Sequence, residues 1–420
     1  MSNLNEIPNG WMETTLADSV SKLGDGLHGT PKYSEEGEYY FINGNNLNDG
    51  KIEIKKETKR CSTVEYEKYK KELNSRTILV SINGSLGYFA YYNNENCFLG
   101  KSACYFNVKD SISKKFIGYQ IRRSYFQKYI RRLAGGTTIK NVSLKTMREY
   151  PFLIPKDIAE QKAIANILSA FDDKIENLQA QNKTLEQTAQ TIFKEWFGKY
   201  QVGDELPDGW SVGELEEAIE FINGYAFKSK DLLKEEEPDS FKVFKMGDIK
   251  KGGGFNHNKT KNYFPKKGSA KLEKYILKNG DLLMSMTDMK DAISLLGHTA
   301  LMIYDNEYIV NQRVGLIRAN NDINIDYPFL YLLTNDKHFI ANLRGRANSG
   351  VQVNLSTKAI KESLFNIPDK ETNKKFDDLV KPLFDKRKHN YIAIQSLKKT
   401  RDTLLPKLMS GKLRVNEFKD

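Results

Sequence analysis

Ile7-Pro8-Asn9-Gly10-Trp11 returns 199 positions later as Leu206-Pro207-Asp208-Gly209-Trp210, and this recurrence constrains the fold more than any other feature of the chain. A second correspondence closes the unit. Asn141, Ser143, Lys145, Glu149, Phe152, Ile154 and Pro155 match Asn354, Ser356, Lys358, Glu362, Phe365, Ile367 and Pro368, each 213 positions on. The second copy is therefore 14 residues longer between these anchors. Solenoid repeats run about 20–50 residues, so a period this long means a duplicated domain.

Each copy divides into a strand-rich part and a helical part. Thr77-Ile78-Leu79-Val80-Ser81-Ile82 and Asp281-Leu282-Leu283-Met284-Ser285-Met286 are short apolar runs of strand type. Gly24-Asp25-Gly26 and Gly252-Gly253-Gly254 mark turns. After Pro155, Asp157 reads as an N-cap with Glu160 closing a capping box. Leu168, Phe171, Ile175, Leu178, Leu185, Ala189, Ile192 and Trp196 then recur at alternating three- and four-residue steps, the a/d spacing of a coiled coil. Asn182 takes an a position inside that stripe, where a lone polar residue fixes helix register. Gly198 reads as the stop.

In the second copy Ile394, Leu397, Leu404 and Leu408 keep the spacing, but Arg387 and Arg401 interrupt it. Pro382 and Pro406 are expected to kink or shorten this helix. The stripes fit helices packed on their own domains, or two long helices packed on each other; the second reading is preferred because each lies between or beyond the globular copies. The expected organisation is an α+β chain: a first domain at 1–156, a spacer helix at 157–199, a second domain at 200–369, a second spacer helix at 370–413 and a tail at 414–420. A continuous helix from Asp157 to Phe197 would be about 60 Å long at 1.5 Å per residue.

The chain of 420 residues carries a net charge of +11, which points to a polyanionic partner, nucleic acid first. From Lys114 to Arg148 there are ten Lys or Arg and no acid. Lys337 to Lys361, at the same place in the second copy, also lacks acids and carries Arg344, Arg346 and Lys358. Eleven lysines stand between Lys242 and Lys278 against Asp248 and Glu273. One charge run is usually a solvated face; a basic, acid-free segment recurring in both copies fits two surfaces facing one polyanion. Positive charge suffices for phosphate affinity, whereas sequence reading needs amide, guanidinium or ammonium groups at base edges. The loops offer His28, Thr30, Lys32, Asn43, Asn45, Asn83, Ser85, Thr137, Thr138 and Lys140 in the first copy. The second offers Tyr225, Lys228, Lys250, Asn256, His257, Lys290, Arg346, Asn348 and Gln352.

No catalytic, cofactor or metal signature is found. Gly100-Lys101-Ser102 looks like the end of a phosphate loop, but Glu95 stands where its first glycine belongs. There is no Asn-Pro-Pro-aromatic motif, no Gly-x-Gly-x-x-Gly after a strand, and no ligand-like pair among five histidines. Three scattered cysteines, Cys61, Cys97 and Cys104, fit a reducing cytoplasm better than a disulfide framework. The first eleven residues lack a signal-peptide pattern, and no apolar run reaches the roughly 20 residues that span a bilayer.

Three stretches carry a likeness to a known family. Asp25-Gly26-Leu27-His28-Gly29-Thr30-Pro31-Lys32-Tyr33 resembles the opening loop of its target-recognition domains. Ile154-Pro155 followed by Glu160-Gln161-Lys162-Ala163-Ile164-Ala165 resembles the start of its central helix. Thr400-Arg401-Asp402-Thr403-Leu404-Leu405-Pro406-Lys407-Leu408-Met409-Ser410-Gly411-Lys412-Leu413 resembles its carboxy-terminal helix. The family is the specificity subunit of type I restriction-modification systems. The second copy departs from it at Asp369 to Asn373, which lacks the Glu-Gln pair. The resemblance implies two tandem target-recognition domains related by a pseudo-two-fold, with an antiparallel coiled-coil pair between them. It implies a non-catalytic subunit that reads a bipartite site on double-stranded DNA, one half per domain. Two modification subunits methylate adenine with S-adenosylmethionine, and restriction subunits add ATP- and Mg-dependent translocation and cleavage. No cofactor is expected in this chain. The alternatives are a nuclease or methyltransferase with an unrecognised active site, or a basic coiled-coil scaffold.

Overall fold

The computed structural model describes residues 7–257, 259–289, 293–320, 323–348 and 352–415. It divides into two compact units: Met1–Asn177 with Ile394–Asp420, and Leu178–Ala393. The division cuts both long helices mid-way, so each unit holds one globular copy and one stretch of each helix.

The two copies repeat one strand plan. In the first, Trp11–Thr15 pairs antiparallel with Pro151–Pro155. A four-stranded sheet runs in the order Val20–Asp25, Ala103–Val108, Thr77–Ser81, Phe89–Tyr91. A smaller sheet places Tyr39–Ile42 between Arg60–Cys61 and Cys97–Leu99. The second copy repeats all three. Ser211–Glu214 pairs with Leu364–Ile367, and Ile219–Asn223, Val314–Ala319, Leu282–Ser285 and Thr299–Leu301 form the larger sheet. Ser240–Phe244 lies between Tyr263–Pro265 and Tyr308–Val310. Thr77–Ser81 and Leu282–Ser285 are buried along their whole length. That explains their continuous apolar runs: a central strand covered on both faces has no solvent side on which to alternate.

The long helices are Ile158–Trp196 and Lys370–Leu408, each 39 residues and 212 positions apart at both ends. Asp157 caps the first as expected, accepting from the Ala159 amide at 2.8 Å. The capping box does not form. Glu160 instead accepts from the Trp11 indole at 3.3 Å and pairs with Arg414 at 3.0 Å. In the second helix Asp369 accepts from the Glu371 and Thr372 amides and from the Trp210 indole. The missing Glu-Gln pair is replaced in kind. Gln161 receives the Ser113 amide and donates to the Pro155 carbonyl, while Asn373, 212 positions on, donates to the Asn324 carbonyl.

Pro382 and Pro406 do not break the second helix. Both rings face solvent, and the buried stripe Phe376, Val380, Phe384, Ile394, Leu405 and Leu408 holds the turns on either side. Tertiary burial outweighs the hydrogen bond that each proline removes.

In each unit the two helices run side by side and antiparallel. In the first unit Arg414 reaches Glu160 and Arg401 reaches Asp172. In the second, Phe376 packs on Phe193, Trp196 and Phe197, Arg387 pairs with Glu186, and Asn390 bonds Asn182. Ile164 and Leu168 share a core with Leu405 and Leu408, and Ala189 and Phe193 share one with Phe376, Val380 and Phe384. Of the expected stripe, Leu168, Ile175, Leu178 and Ala189 are buried and Phe171, Leu185, Ile192 and Trp196 half-buried, with Phe193 and Phe197 more deeply placed than Ile192 and Trp196.

Candidate nucleic-acid interface

The candidate residues of the first copy gather at the end of the buried strand Thr77–Ser81. The amide of Ile82 donates to the Ser102 carbonyl at 3.0 Å, and its carbonyl accepts from Val142 at 2.8 Å. This one residue joins two loop groups. On one side Asn43 accepts from the Ser102 hydroxyl at 2.8 Å, which also takes the Gly44 amide at 2.9 Å. Asn45 is exposed beside them. The opening loop docks on the same turn, since Leu27 donates to Leu99 at 2.6 Å and receives from Lys101 at 3.0 Å. His28 pairs with Asp25 at 2.5 Å, Lys32 is held through its amide by Glu65 at 2.9 Å, and Thr30 is exposed. On the other side Gly84 donates to the Lys140 carbonyl, and Gly135 and Asn141 exchange both backbone hydrogen bonds. Asn83 and Ser85 therefore flank a tight loop that presents Thr137, Thr138 and Lys140 to solvent.

The second copy repeats this junction at Met286, whose amide donates to Arg313 and whose carbonyl accepts from Leu355. Thr287–Met289 pairs with Gln352–Asn354, setting Met289 opposite Gln352. Asn348 bridges Asn354, and Arg346 is tied to the Glu362 carbonyl at 2.9 Å. Tyr225 docks beside Asn311 as Leu27 docks beside Gly100. Its ring meets Phe227 edge-on and lies tilted against Tyr275, and Lys228 is exposed on the following turn. Asp288 braces the loop by accepting from Met289, Ser294, Leu295 and Leu296. Burial alone would raise its pKa; these amides together hold the carboxyl below its ordinary value. Lys290 lies outside the described residues.

Three candidates stand apart from this junction. Lys250 sits on the Gly252-Gly253-Gly254 turn, whose glycines all have positive φ and which joins Thr299 through Gly254. Asn256 follows it, bonded through its amide to Asp248. His257 lies against Phe255 and Tyr391, with ring centroids 4.1 and 4.5 Å away.

The long basic run of the first copy also divides. Lys114 is turned inward onto the Ser75 and Tyr92 carbonyls, and burial lowers its pKa to about 8. Arg122 bonds Asp172 and Asp49, and Arg123 reaches the Met409 carbonyl. Lys128, Arg131, Arg132, Lys140, Lys145 and Arg148 remain exposed. Sequence reasoning missed Lys101 and the Gln312-Arg313 turn, which occupy equivalent places at the two junctions. Arg313 has φ +70, an unusual conformation for a side chain with a Cβ. The signal was a polar triplet, Asn311-Gln312-Arg313, set between two buried apolar runs.

The two copies thus carry the same loop junction, and the family comparison likewise finds one unit twice along the chain. The sequence profile of the type I restriction modification DNA specificity domain matches residues 8–187 and again residues 207–394. The chain belongs to that family. This specificity subunit is 27% identical to the MjaIX type I restriction enzyme specificity subunit of Methanocaldococcus jannaschii, over 93% of this chain and 87% of the relative. A putative type I specificity subunit of Mycoplasma genitalium is 30% identical over 54% of this chain and 56% of the relative. The crystal structure of a type I restriction-modification S subunit from M. genitalium shares the fold. Its TM-score is 0.60 at 22% identity, covering 96% of this chain and 98% of that one. Among the described residues of the specificity subunit, no helix is long and apolar enough to cross a membrane.

Proposed function

We propose that this specificity subunit reads a bipartite site on double-stranded DNA, one half per recognition domain, and docks two modification subunits in a cytoplasmic complex. The recurrence of one junction in both copies carries the reading. Each presents exposed amide, hydroxyl and cationic side chains on loops braced by buried strands: Asn45, Ser85, Thr138 and Lys140 in the first, and Tyr225, Arg346, Asn348 and Gln352 in the second. Such groups suit base edges and phosphates. The chain is proposed to hold no cofactor; S-adenosylmethionine serves the modification subunits, and ATP and Mg the restriction subunits. Freed of partners, the purified chain should neither methylate nor cleave DNA when given all three. It should bind DNA selectively once the modification subunits are present. Turnover by the isolated chain, or binding equal on every sequence, would overturn the reading.

A further inference from the structure

Three polar contacts between the two long helices point one way. In the first unit Arg401 Nη1 donates to Asp172 Oδ1 at 2.6 Å. In the second Arg387 Nη2 forms an ion pair with Glu186 Oε2 at 2.9 Å, and Asn390 Nδ2 donates to Asn182 Oδ1 at 3.0 Å. The acids and the accepting amide lie on the central helix; the guanidinium groups and the donating amide lie on the C-terminal one. The guanidinium groups are withdrawn from water, with side-chain exposures of 8% for Arg387 and 11% for Arg401, while Glu186 and Asp172 are half-buried at 29% and 27%, and both asparagines are buried.

The helices match position for position at an offset of 212, which shows what each would meet if paired with a copy of itself. Opposite Asp172, Arg401 would be replaced by Ala189. Opposite Glu186, Arg387 would be replaced by Ile175. Asn182 would face Leu178. Two C-terminal helices fare no better, since Arg401 would face Phe384, Arg387 would face Lys398, and Asn390 would face Ile394. Asp172 keeps Arg122 and Tyr119 from its own globular copy in any pairing, so among these three contacts the discrimination rests on the other five residues. A buried charge or amide stripped of its partner is strongly unfavourable, whereas the apolar stripe would accept either helix.

We infer that this interface is coded for unlike helices: Glu186 with Arg387, Asn182 with Asn390, and Arg401 with Asp172 make the C-terminal helix the partner of the central helix and exclude a second central helix. The surface therefore accepts the complementary helix, from the same chain or from another copy, and rejects its own kind. Arg387 and Arg401, which break the apolar stripe, are the donor side of that code.

The test cuts the folded full-length chain at a protease site placed between Gly203 and Asp204, in the exposed turn after the central helix. The nicked protein is unfolded in urea and refolded by dilution, and native mass spectrometry counts the pairs. Unlike pairs should exceed like pairs by about a hundredfold or more. Like pairs near the one-to-two-to-one ratio of random association would overturn the inference. The variant Asn182→Leu, Glu186→Leu, Arg387→Leu, Asn390→Leu, which keeps Arg401 with Asp172, should raise the share of like pairs by about tenfold or more, and an unchanged share would place the code elsewhere. A measurement on the uncut chain does not depend on reassembly. Glu186→Arg should lower the urea midpoint, and adding Arg387→Glu should restore more than half of the loss. Failure to restore it would show that the pair is not a recognition contact.

Discussion

Trp210 donates its indole N–H to the Asp369 carboxylate at 3.2 Å, tying the first strand of the second copy to the start of the C-terminal helix. Trp11 does the same for the first copy through Glu160. The repeated Pro-x-Gly-Trp motif thus serves as a clasp between each globular copy and the helix that follows it. Hydrogen bonds from Thr372, side chain first and amide second, with those of Glu371 and Trp210, hold the Asp369 carboxyl below its ordinary pKa. A depressed folded-state pKa contributes stability above the unfolded value of about 3.9 and loses it as pH falls through the folded value. Asp369→Ala should therefore unfold at lower urea than wild type near neutral pH, with the difference narrowing as pH falls below the unfolded value and through the folded one. A gap that stays constant across that range would contradict the assignment.

The aromatic cluster around Phe376 holds the two helices together in the second unit. Phe376 is fully buried against Phe193, Trp196, Phe197 and Phe329. Phe376→Ala should cost about 3–5 kcal/mol in urea unfolding. Leu379, 47% exposed on the same helix, should tolerate Ala within about 0.5 kcal/mol. Equal effects at both positions would show that the stripe is not the packing face.

Much of this architecture is written in local sequence. Burial imposes a period of three and four on the helices, and the duplicated anchors mark the copies wherever they fall. What stayed hidden depends on partners far along the chain. Arg387 and Arg401 read as interruptions because periodicity gives a polar residue no partner; Glu186 lies about 200 positions from one, and Asp172 farther still from the other. Pro382 and Pro406 read as breaks because propensity ignores packing on the opposite face. Among the loop candidates, residue type brought in Asn43 and His257 alongside Lys140. Only the fold shows that Asn43 accepts from Ser102 and that His257 lies against Tyr391.

Gly26 and Gly224 are the points where the opening loops press on the sheet. A Cβ at Gly26 would lie 2.3 Å from the Leu99 and Gly100 carbonyl oxygens, and one at Gly224 would lie 2.1 Å from that of Asn311. Backbone cannot yield as a side chain tip can, so Gly26→Ala should displace the first loop and Gly224→Ala the second. In DNA-binding assays with the modification subunits, each should weaken one half-site about tenfold or more, equivalent to about 1.4 kcal/mol, and leave the other unchanged. Equal loss on both half-sites would contradict separate reading.

If the helices set the distance between half-sites, lengthening them should lengthen the gap. Because the helices are paired, the insertion belongs in both: four residues between Asn177 and Leu178, and four between Ala393 and Ile394. Four residues add roughly 6 Å and turn the distal face by about 40°, whereas two would rotate it by about 200° and strip the apolar stripe from its partner. The four-residue variant should methylate sites whose halves stand about two base pairs farther apart, at roughly 3.4 Å per pair, and the two-residue variant should be inactive. An unchanged gap would dismiss the helices as the spacer.

The most direct measurement is a map of methylated adenines on genomic DNA, made with the modification subunits and two variants of this chain. One carries Thr138→Ala and Lys140→Ala; the other carries Arg346→Ala and Gln352→Ala. Base contacts are worth about 1–3 kcal/mol each, so losing them should relax sequence choice where they act. The first variant should tolerate changes in one half of the site and keep the other half and the gap intact, and the second should do the reverse. If both variants relax the same half, or lower methylation equally at every site, the two copies are not separate readers of the DNA.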